Sequence, residues 1–410
     1  MALHYSDLNS CDAILYSVTR ACTICLHGHV GDGAVAFGVN PCSAVVSERI
    51  PCFPCIGTPF ALSTYAHTWA ELSSERKGVH TMVAEQVAGR SQKSFLRKFF
   101  SIREMGVLLA LAVIFVTFSI ASEDFLTVNN MINIAKRISQ YAIMACGMTM
   151  VIIAAEIDLS VGTFFGMSVA LLARLVKLGL NIWAGAAVVL IVGALVGLFI
   201  GTVVTKVKVP SFIVSLGLLN IFKTLTLVLT GAWVISGFDN SLLFFDIFSG
   251  DIGIFPTEII WMAVVALISY IILNRSVYGF NLFATGGNKE AASLSGVDTD
   301  KVKIIAFMIS STFVAFTGIL GFAHIASASP EAGAGRELDV IAGVIVGGTN
   351  LFGGVGTIAG TLLGVTIIGV IRNGLIMVGI RTYWHSFFIG LIIIIAVTIN
   401  QLMAQRKAST

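Results

Sequence analysis

Eight polar or ionisable side chains stand out because they lie within or beside long apolar segments. They are Asp158, Ser160, Asn220, Lys223, His324, Asp339, Asn373 and His385. Hydroxyl, amide and imidazole groups in such places can hydrogen-bond a polar solute, and an ionisable group inside a membrane usually faces the interior of a helix bundle. The pattern therefore predicts a path for a small polar solute, with these residues as its candidate lining.

Each of these groups also has a structural explanation. The two aspartates suit helix N-termini, where a carboxylate contributes about 0.3–1 kcal/mol. The lysine can extend along its helix to reach the membrane surface. The amides and the histidines can hydrogen-bond a neighbouring helix or a helix end. On sequence alone, both explanations stay open for every candidate.

The chain lacks the short motifs of nucleotide-hydrolysing and metal-dependent enzymes. Residues 348–353 begin and end with glycine, but they lack the lysine that would meet a phosphate. No H-E-x-x-H or G-x-S-x-G motif occurs either. We therefore predict that the chain is not an enzyme and that it holds no cofactor and no metal.

Cysteines are concentrated in residues 1–81, which hold six of the seven. Cys22 and Cys25 form one C-x-x-C pair, and Cys52 and Cys55 form another. Four thiolates paired in this way can bind zinc, although the loop between the pairs exceeds the usual ~15–20 residues. We favour a disordered or non-native N-terminal extension, because Met82 opens a plausible start before a basic segment at 82–104.

Composition places the remainder of the chain in a membrane. Of the 410 residues, 56% are hydrophobic and 11% are charged, and the mean hydropathy is +0.93. Soluble domains carry about 25% charged residues. The net charge of +3 is too small to indicate binding of nucleic acid. The sequence therefore predicts an all-α polytopic membrane protein that sits in a lipid bilayer.

Ten apolar segments are candidates to cross the membrane and define a transmembrane domain at 105–402, followed by a tail at 403–410. They cover residues 105–121, 138–155, 161–179, 182–205, 209–230, 256–273, 304–326, 338–348, 357–373 and 383–402. The distribution of basic residues predicts that both termini are cytoplasmic. In this scheme Lys136 and Arg137 fall outside the spans, and Arg372 and Arg381 fall in an outer turn.

The two halves of this domain share a signature. Residues 156–162 and 337–343 both read Glu, aliphatic, Asp, aliphatic, two residues and Gly. Glycine rows recur at 193, 197 and 201 and at 356, 360 and 364, and four-residue spacing favours close helix packing. The third span matches the eighth, and the fourth matches the ninth. Because this offset of five spans is odd, the two copies would cross the membrane in opposite directions and form an inverted repeat. Interrupted segments in both halves are typical of a transport path.

A polar island at 274–303 separates two long apolar segments. It suits a turn at 286–288, a short helix at 290–294 and a helix end at Gly296. A folded, charged loop in a mostly apolar chain is a candidate for contact with a partner protein. The candidate contact residues are Gly286, Gly287, Asn288, Glu290, Ala291, Ala292 and Gly296.

The island resembles the coupling loop of permease subunits of ATP-binding-cassette importers, in the branch that carries ribose-like sugars. Residues 290–292 together with Gly296 are similar to the Glu-Ala-Ala loop of that superfamily. Residues 157–162 and 210–217 are similar to further motifs of ribose-type permeases. Glu156 and the Trp-His pair at 384–385 depart from the family pattern.

The resemblance implies the permease subunit of an ATP-driven importer, which forms the path of a small sugar, a ribose-like pentose or a hexose, by alternating access. The implied partners are a cytoplasmic ATPase subunit that binds ATP and magnesium, an extracytoplasmic sugar-binding protein, and a second permease copy or a paralogue. The implied location is the bacterial inner membrane.

Two other functions stay open on the sequence. One is a related permease for branched-chain amino acids or another small solute; a carboxylate substrate would favour positive charge in the path, where the sequence offers only Lys223. The other, from a different class, is a secondary transporter or a channel, which would leave the polar island unexplained.

Overall fold

The computed structural model describes residues 105–395, except 240, 254, 382, 383 and 386, and also residue 398. The expectations for residues 1–81, 82–104 and 403–410 therefore lie outside the described residues. The helices are α1 (Met105–Ala121), α2 (Val128–Ile153), α3 (Val161–Lys177), α4 (Ile182–Thr202), α5 (Ser211–Thr230), α6 (Leu243–Ser249), α7 (Thr257–Arg275), α8 (Val277–Gly287), α9 (Lys289–Leu294), α10 (Thr299–Ile325), α11 (Arg336–Val346) and α12 (Ile358–Met377).

Three smaller features complete this part of the chain. A π-helical turn, Val203–Val207, extends α4. A short hairpin pairs β1 (Asp251–Ile252) with β2 (Phe255–Pro256) in antiparallel register. Residues 387–395 are helical and belong to the last predicted span.

Five of the described helices are long and apolar enough to cross a membrane, namely α4 with its π-helical turn, α5, α7, α10 and α12. The helices differ in how deeply they are buried. In α10 and in α12, 61% of the most apolar stretch is buried inside the protein, whereas the share is only 22% in α5. An apolar helix that leaves most of its surface exposed is suited to lipid or to another membrane subunit. The predicted all-α polytopic membrane fold is confirmed.

The centre of the bundle is α2, which is buried without interruption from residue 138 to residue 153. It packs against α10, α12 and α7. Because α2 is surrounded by other helices, it carries more small and polar residues than a lipid-facing span does. The sequence placed its start at residue 138, ten residues later than the structure, since the first three turns are polar.

The first glycine row packs α4 tightly against α10. A Cβ at Gly193 would approach the Ala315 Cβ to 2.6 Å, and a Cβ at Gly201 would approach the Ile304 Cα to 2.7 Å. The two helices run antiparallel, because rising numbers on α4 meet falling numbers on α10. This row therefore serves close helix packing, as expected.

The second glycine row has a related role on α12. Gly360 and Gly364 face the backbone of Gly347 and Gly343, respectively, with no room for a Cβ. Gly356 instead meets the Ile153 side chain at the end of α2. The row thus joins α12 to α11 and to the central helix.

The two copies of the Glu-x-Asp signature adopt different local structures. Residues 156–160 form a non-helical connection before α3, whereas Glu337 and Asp339 lie in the first turn of α11. The starts of the two helices meet, because a Cβ at Gly162 would reach the backbone nitrogen of Glu337 at 2.7 Å. The interrupted segments of the two halves are therefore in direct contact, and the inverted repeat itself stays a prediction.

The placement of one basic residue was wrong, and two others lie in a longer helix than predicted. Lys136 and Arg137 lie within α2, because this helix begins at Val128 and not at residue 138. Arg372 lies within α12 and not in an outer turn, where its guanidinium pairs with the Asp339 carboxylate at 2.8 Å. The ion pair explains why an arginine can sit in an apolar helix. Arg381 does follow the end of α12.

Candidate functional site

A cavity of about 450 Å³ lies where α2 begins and where α10 and α12 end. Its walls come from these helices, from α3, from the start of α11 and from the segment that links α10 to α11. The volume falls within the ~300–1,000 Å³ typical of small-molecule sites. The polar island lies at the opposite ends of α2 and α10, so the cavity and the island are separated by the length of the bundle.

One face of α2 supplies the most polar wall of the cavity. Asn130, Asn133, Arg137 and Gln140 all line it. Their spacing of three, four and three residues puts them on one side of a helix. This spacing was visible in the sequence, and the sequence analysis missed it because it began the span at residue 138.

Two side-chain pairs hold this wall against its neighbours. Asn130 and Asn373 donate amide hydrogens to each other's oxygens, at 3.1 and 2.9 Å. Arg336 donates to the Gln140 amide oxygen at 3.2 Å, and its guanidinium lies 4.1 Å from the centre of the Phe165 ring. Amide groups and an arginine stacked on an aromatic ring are suited to a solute rich in hydroxyl groups.

Among the eight candidate path residues, two line this cavity, namely His324 and Asn373. The His324 imidazole is also held by the buried Glu258 carboxylate, since the two atoms Nδ1 and Oε1 lie 3.1 Å apart. The Ser249 hydroxyl donates to the same carboxylate oxygen at 2.7 Å. His324 therefore joins the cavity wall to α6 and α7.

Lys223 faces a second and smaller cavity of about 140 Å³. This cavity lies between α5, the start of α3 and the segment before α11, which contributes Glu331 and Ala332. Ala332 lines both cavities. Lys223 thus sits beside the larger cavity and not in its wall.

The remaining candidates have structural partners or face outward. Asp158 is buried and accepts hydrogen bonds from the backbone and the hydroxyl of Ser160, at 2.8 and 2.6 Å. Asp339 pairs with an arginine of α12. The His385 Nε2 lies 3.3 Å from the carbonyl oxygen of Ile380, and Asn220 is exposed on α5. None of these four, nor Ser160, lines the larger cavity.

The polar island folds into two short helices. The predicted turn at 286–288 differs from the structure, because Gly286 and Gly287 end α8 and only Asn288 lies between the helices. The Asn288 side chain caps α9 by accepting from the backbone nitrogen of Ala291 at 3.0 Å. The Tyr278 hydroxyl donates to the Val302 carbonyl at 3.2 Å, which fastens α8 to α10.

The exposed residues of α9 form its outer surface. Ala292 is buried against the chain, whereas Glu290, Ala291 and Leu294 are exposed. Leu294 is 90% exposed, although it is a large apolar side chain in a polar loop. A short, capped helix that presents one free apolar side chain is suited to dock on another protein.

Gly296 ends α9 in the left-handed region, with φ of +87°. Its backbone nitrogen donates to the Ser293 carbonyl at 3.0 Å, and the backbone nitrogen of Val297 donates to the Ala292 carbonyl at 3.1 Å. This arrangement is typical of a helix that ends at a glycine. The positive φ expected there is therefore present. A Cβ would meet no neighbour within 4 Å, so the requirement for glycine is conformational only.

If the island couples this chain to an ATPase, as the resemblance of its sequence implies, Gly296→Val should lower the coupling of ATP hydrolysis to uptake, because a β-branched residue is strained at positive φ by about 1–3 kcal/mol. Gly296→Asn is the matched control, since asparagine tolerates this conformation. Glu290→Lys should act in the same direction, because it reverses the charge at the start of α9. The measurement is uptake per ATP hydrolysed; equal ratios in the parent and in both Gly296 variants would contradict the prediction.

The island is tied to the bundle at a contact that we call the glycine junction, formed by Ile153, Ala155, Gly286, Gly353 and Gly354. The backbone nitrogen of Gly354 donates to the Ile153 carbonyl at 2.9 Å. A Cβ at Gly286 would overlap that same carbonyl oxygen and would lie 2.8 Å from the Gly354 nitrogen. The end of α8, the end of α2 and the segment between α11 and α12 therefore meet backbone to backbone.

The glycine junction links the island to the cavity. α2 lines the cavity near its start and reaches the junction at its end. α11 begins at the cavity with Arg336 and ends just before the segment that holds Gly353. A movement of α8 would therefore reach the end of α2 directly and the end of α11 through residues 347–353. Among the described residues, no group of His, Cys, Asp and Glu side chains has the arrangement of a metal site.

Comparisons with known proteins agree on one family. A family model described as branched-chain amino acid transport system/permease component matches residues 130–397. The ribose import permease of Escherichia coli K12 is 36% identical over 78% of this chain and 99% of its own length. The D-allose transport system permease of the same strain is 35% identical over 73% of this chain and 92% of its own length. The ribose import permease of Bacillus subtilis 168 is 34% identical over 73% of this chain and 93% of its own length. No solved structure matches this chain significantly.

Proposed function

This chain belongs to the family of branched-chain amino acid transport system/permease components, and we propose that it carries a small sugar across the bacterial inner membrane by alternating access. It is the permease subunit of a sugar importer of the ATP-binding-cassette class, because relatives that cover most of its length are ribose, allose and galactose import permeases. The same relatives favour a sugar over a branched-chain amino acid. The cavity lined by α2 amides is the observation that carries the proposed path.

The chain is a transport component and not an enzyme, and ATP hydrolysis belongs to a cytoplasmic ATPase partner. Two observations support this assignment of roles. The sequence lacks a phosphate-binding lysine motif, and α9 offers an exposed apolar side chain on a capped helix at the end of the bundle away from the cavity. ATP and magnesium would bind the partner, and both termini of this chain would lie on its side of the membrane.

A second permease, either a copy of this chain or a paralogue, would face α5. Asn220, Lys223 and Thr224 are exposed on this helix. Asn220 and Thr224 donate to carbonyls of their own helix, whereas the charge of Lys223 is costly against lipid and favours a water-filled path. A partner across such a path would cover this face, and an extracytoplasmic sugar-binding protein would deliver the sugar at the cavity end.

We expect Lys223→Met to lower uptake by about tenfold, which corresponds to about 1.4 kcal/mol of lost interaction, without loss of the protein from the membrane. The lysine lies about 20 Å along α5 from Pro210 at ~1.5 Å per residue, where an ionisable group usually serves the interior of an assembly. Lys223→Arg keeps the charge and is the control. Uptake by the methionine variant at the level of the parent would mean that Lys223 only reaches the membrane surface.

The mechanism follows from the glycine junction. Closure of the ATPase subunits would push α9 and α8, and the junction would pass that displacement to the ends of α2 and α11. Because both helices begin at the cavity, the displacement would change the cavity's access. The close backbone contacts at Gly286 and Gly354 support this route, since packed backbone transmits a shift with little absorption by side chains.

The proposal is tested by co-purification and by ATPase activity. The chain, the ATPase and the sugar-binding protein of the same organism are co-expressed, and the complex is reconstituted in lipid. We expect the ATPase to co-purify with this chain and its activity to rise when sugar-loaded binding protein is added. Purification of this chain without the ATPase, together with uptake driven by an ion gradient, would support the secondary transporter instead.

A further inference from the structure

We propose that the sugar carried by this permease is an acid, an aldonate or a uronate, whose carboxylate is held by Arg137 and Arg336. The inference rests on the proposed function and specifies its substrate class. Both arginines line the larger cavity. The sequence analysis named Lys223 as the only positive charge available to a carboxylate, and that expectation was wrong, because two guanidinium groups face the cavity.

The charge of the cavity wall is one-sided. Among the residues that the structure describes, its lining includes Arg137, Arg336 and His324 and no aspartate or glutamate. The imidazole already has an acidic partner, since the buried Glu258 carboxylate lies 3.1 Å from it. The two arginines therefore set the charge that a bound solute meets.

Neither of these arginines takes part in an ion pair within the part of the chain that the structure describes. Arg336 donates to Gln140, which is a neutral amide, and it stacks on Phe165 and Tyr141. The adjacent Glu337 does not line the cavity; its carboxylate packs against Gly162 at the start of α3.

The contrast with a third arginine shows how this fold neutralises a positive charge. Arg372 lies on α12, outside the cavity wall, and its guanidinium contacts both oxygens of the Asp339 carboxylate, at 2.9 and 2.8 Å. The chain thus supplies a carboxylate to the arginine that the solute does not meet. Among the described residues, no carboxylate lies within ion-pair distance of Arg137 or Arg336, the two arginines that the solute does meet.

Arg336 is partly buried and Arg137 is exposed in this chain, and both line the cavity. An ionisable side chain that faces a cavity of a membrane protein without an acidic partner often marks the path or the site of a ligand. Arginine presents its donors in a planar fork that matches a carboxylate. A neutral sugar has hydroxyl groups for the amides of Asn130, Asn133 and Gln140, but it has no group that would neutralise a guanidinium. A sugar acid has both, so it matches the whole wall.

The test compares sugar acids with the neutral sugars that have the same carbon skeleton. The importer, complete with its ATPase and binding protein, is reconstituted, and uptake of labelled D-galacturonate and D-ribonate is measured beside D-galactose and D-ribose. We expect the acids to be taken up at least tenfold faster than the neutral sugars. The methyl ester of D-galacturonate keeps the sugar ring of the acid and removes its negative charge. It should therefore fail to compete with labelled D-galacturonate for uptake.

The variants locate the effect in the cavity. We expect Arg137→Gln and Arg336→Gln each to lower uptake of the acid at least tenfold, while the ATPase stays responsive to loaded binding protein. Arg174→Gln is the matched control, because Arg174 near the end of α3 is exposed, as Arg137 is, but does not line the cavity. Retained response of the ATPase excludes misfolding as the cause of lost uptake.

The outcomes separate this inference from the proposed function. Preferred uptake of D-ribose or D-galactose, unaffected by either arginine variant, would overturn the proposal of a sugar-acid substrate and leave the sugar importer intact. Competition by D-ribose 5-phosphate but by neither acid would also overturn that proposal and would indicate a sugar phosphate as the substrate. Uptake of L-leucine with no uptake of any sugar would instead overturn the proposed function.

Discussion

Gly286→Val is expected to abolish uptake. Either the variant loses at least nine-tenths of the parent's uptake activity, or the amount of permease in the membrane falls by at least nine-tenths. A Cβ at this position would overlap the Ile153 carbonyl oxygen and would lie 2.8 Å from the Gly354 nitrogen, which donates its hydrogen bond to that same oxygen. These neighbours are backbone atoms and cannot rotate away. Overpacking of this kind costs about 1–3 kcal/mol and occasionally more.

The adjacent glycine provides the control. Gly287 also ends α8, but a Cβ there would meet nothing within 4 Å. Gly287→Ala should therefore keep the protein level in the membrane and the uptake of the parent. The measurements are the amount of permease in isolated membranes and the uptake of labelled substrate. Uptake by Gly286→Val at the parent's level would remove the glycine junction from the mechanism.

Leu294→Asp is expected to prevent coupling to the ATPase while the permease itself folds normally. The side chain is 90% exposed in this chain, so its replacement removes no packing within the described residues. If Leu294 is the central apolar contact with the ATPase, its loss costs about 2–4 kcal/mol, and the affinity for the ATPase falls by about 30-fold or more at ~1.4 kcal/mol per factor of ten.

Leu294→Met is the matched control, because methionine keeps an apolar side chain of similar volume. We expect the methionine variant to bind the ATPase and to support uptake like the parent. The measurements are co-purification of the ATPase and stimulation of its activity by loaded binding protein. An aspartate variant that still co-purifies and responds would show that α9 docks through other residues or does not dock at all.

The membrane fold could be predicted from the sequence because its signals are local. Spans such as 182–205 and 209–230 are nearly continuous apolar runs, and the structure ends them within a few residues of the predicted bounds. The exit from α9 at Gly296 was also predictable, because glycine after a short helix favours positive φ. Neither inference needs knowledge of which helices are neighbours.

The cavity was harder to predict, because it depends on which helices meet. Arg137 was assigned to a position outside the spans, since hydropathy alone excludes a charged residue from a span. That it lines a cavity together with Arg336, from a distant part of the chain, becomes visible only in the fold. Conversely, Asp158 was a candidate for the path, but its carboxylate is used locally by Ser160.

The glycine junction shows a third limit of sequence reasoning. Gly286 was predicted to lie in a turn, and Gly353 was noted only as the end of a glycine-flanked stretch that lacks a phosphate-binding lysine. The structure instead uses them for close backbone contact between three segments. Only the fold brings residues that are about seventy positions apart in sequence into contact.

The most direct test of the account is ATP-driven uptake by the reconstituted importer. Proteoliposomes that contain this chain and its ATPase are given labelled sugar or sugar acid on the cavity side, with binding protein outside and ATP inside. The account predicts accumulation only when the binding protein and ATP are both present. Accumulation that continues without ATP, or that follows a sodium or proton gradient, would contradict it.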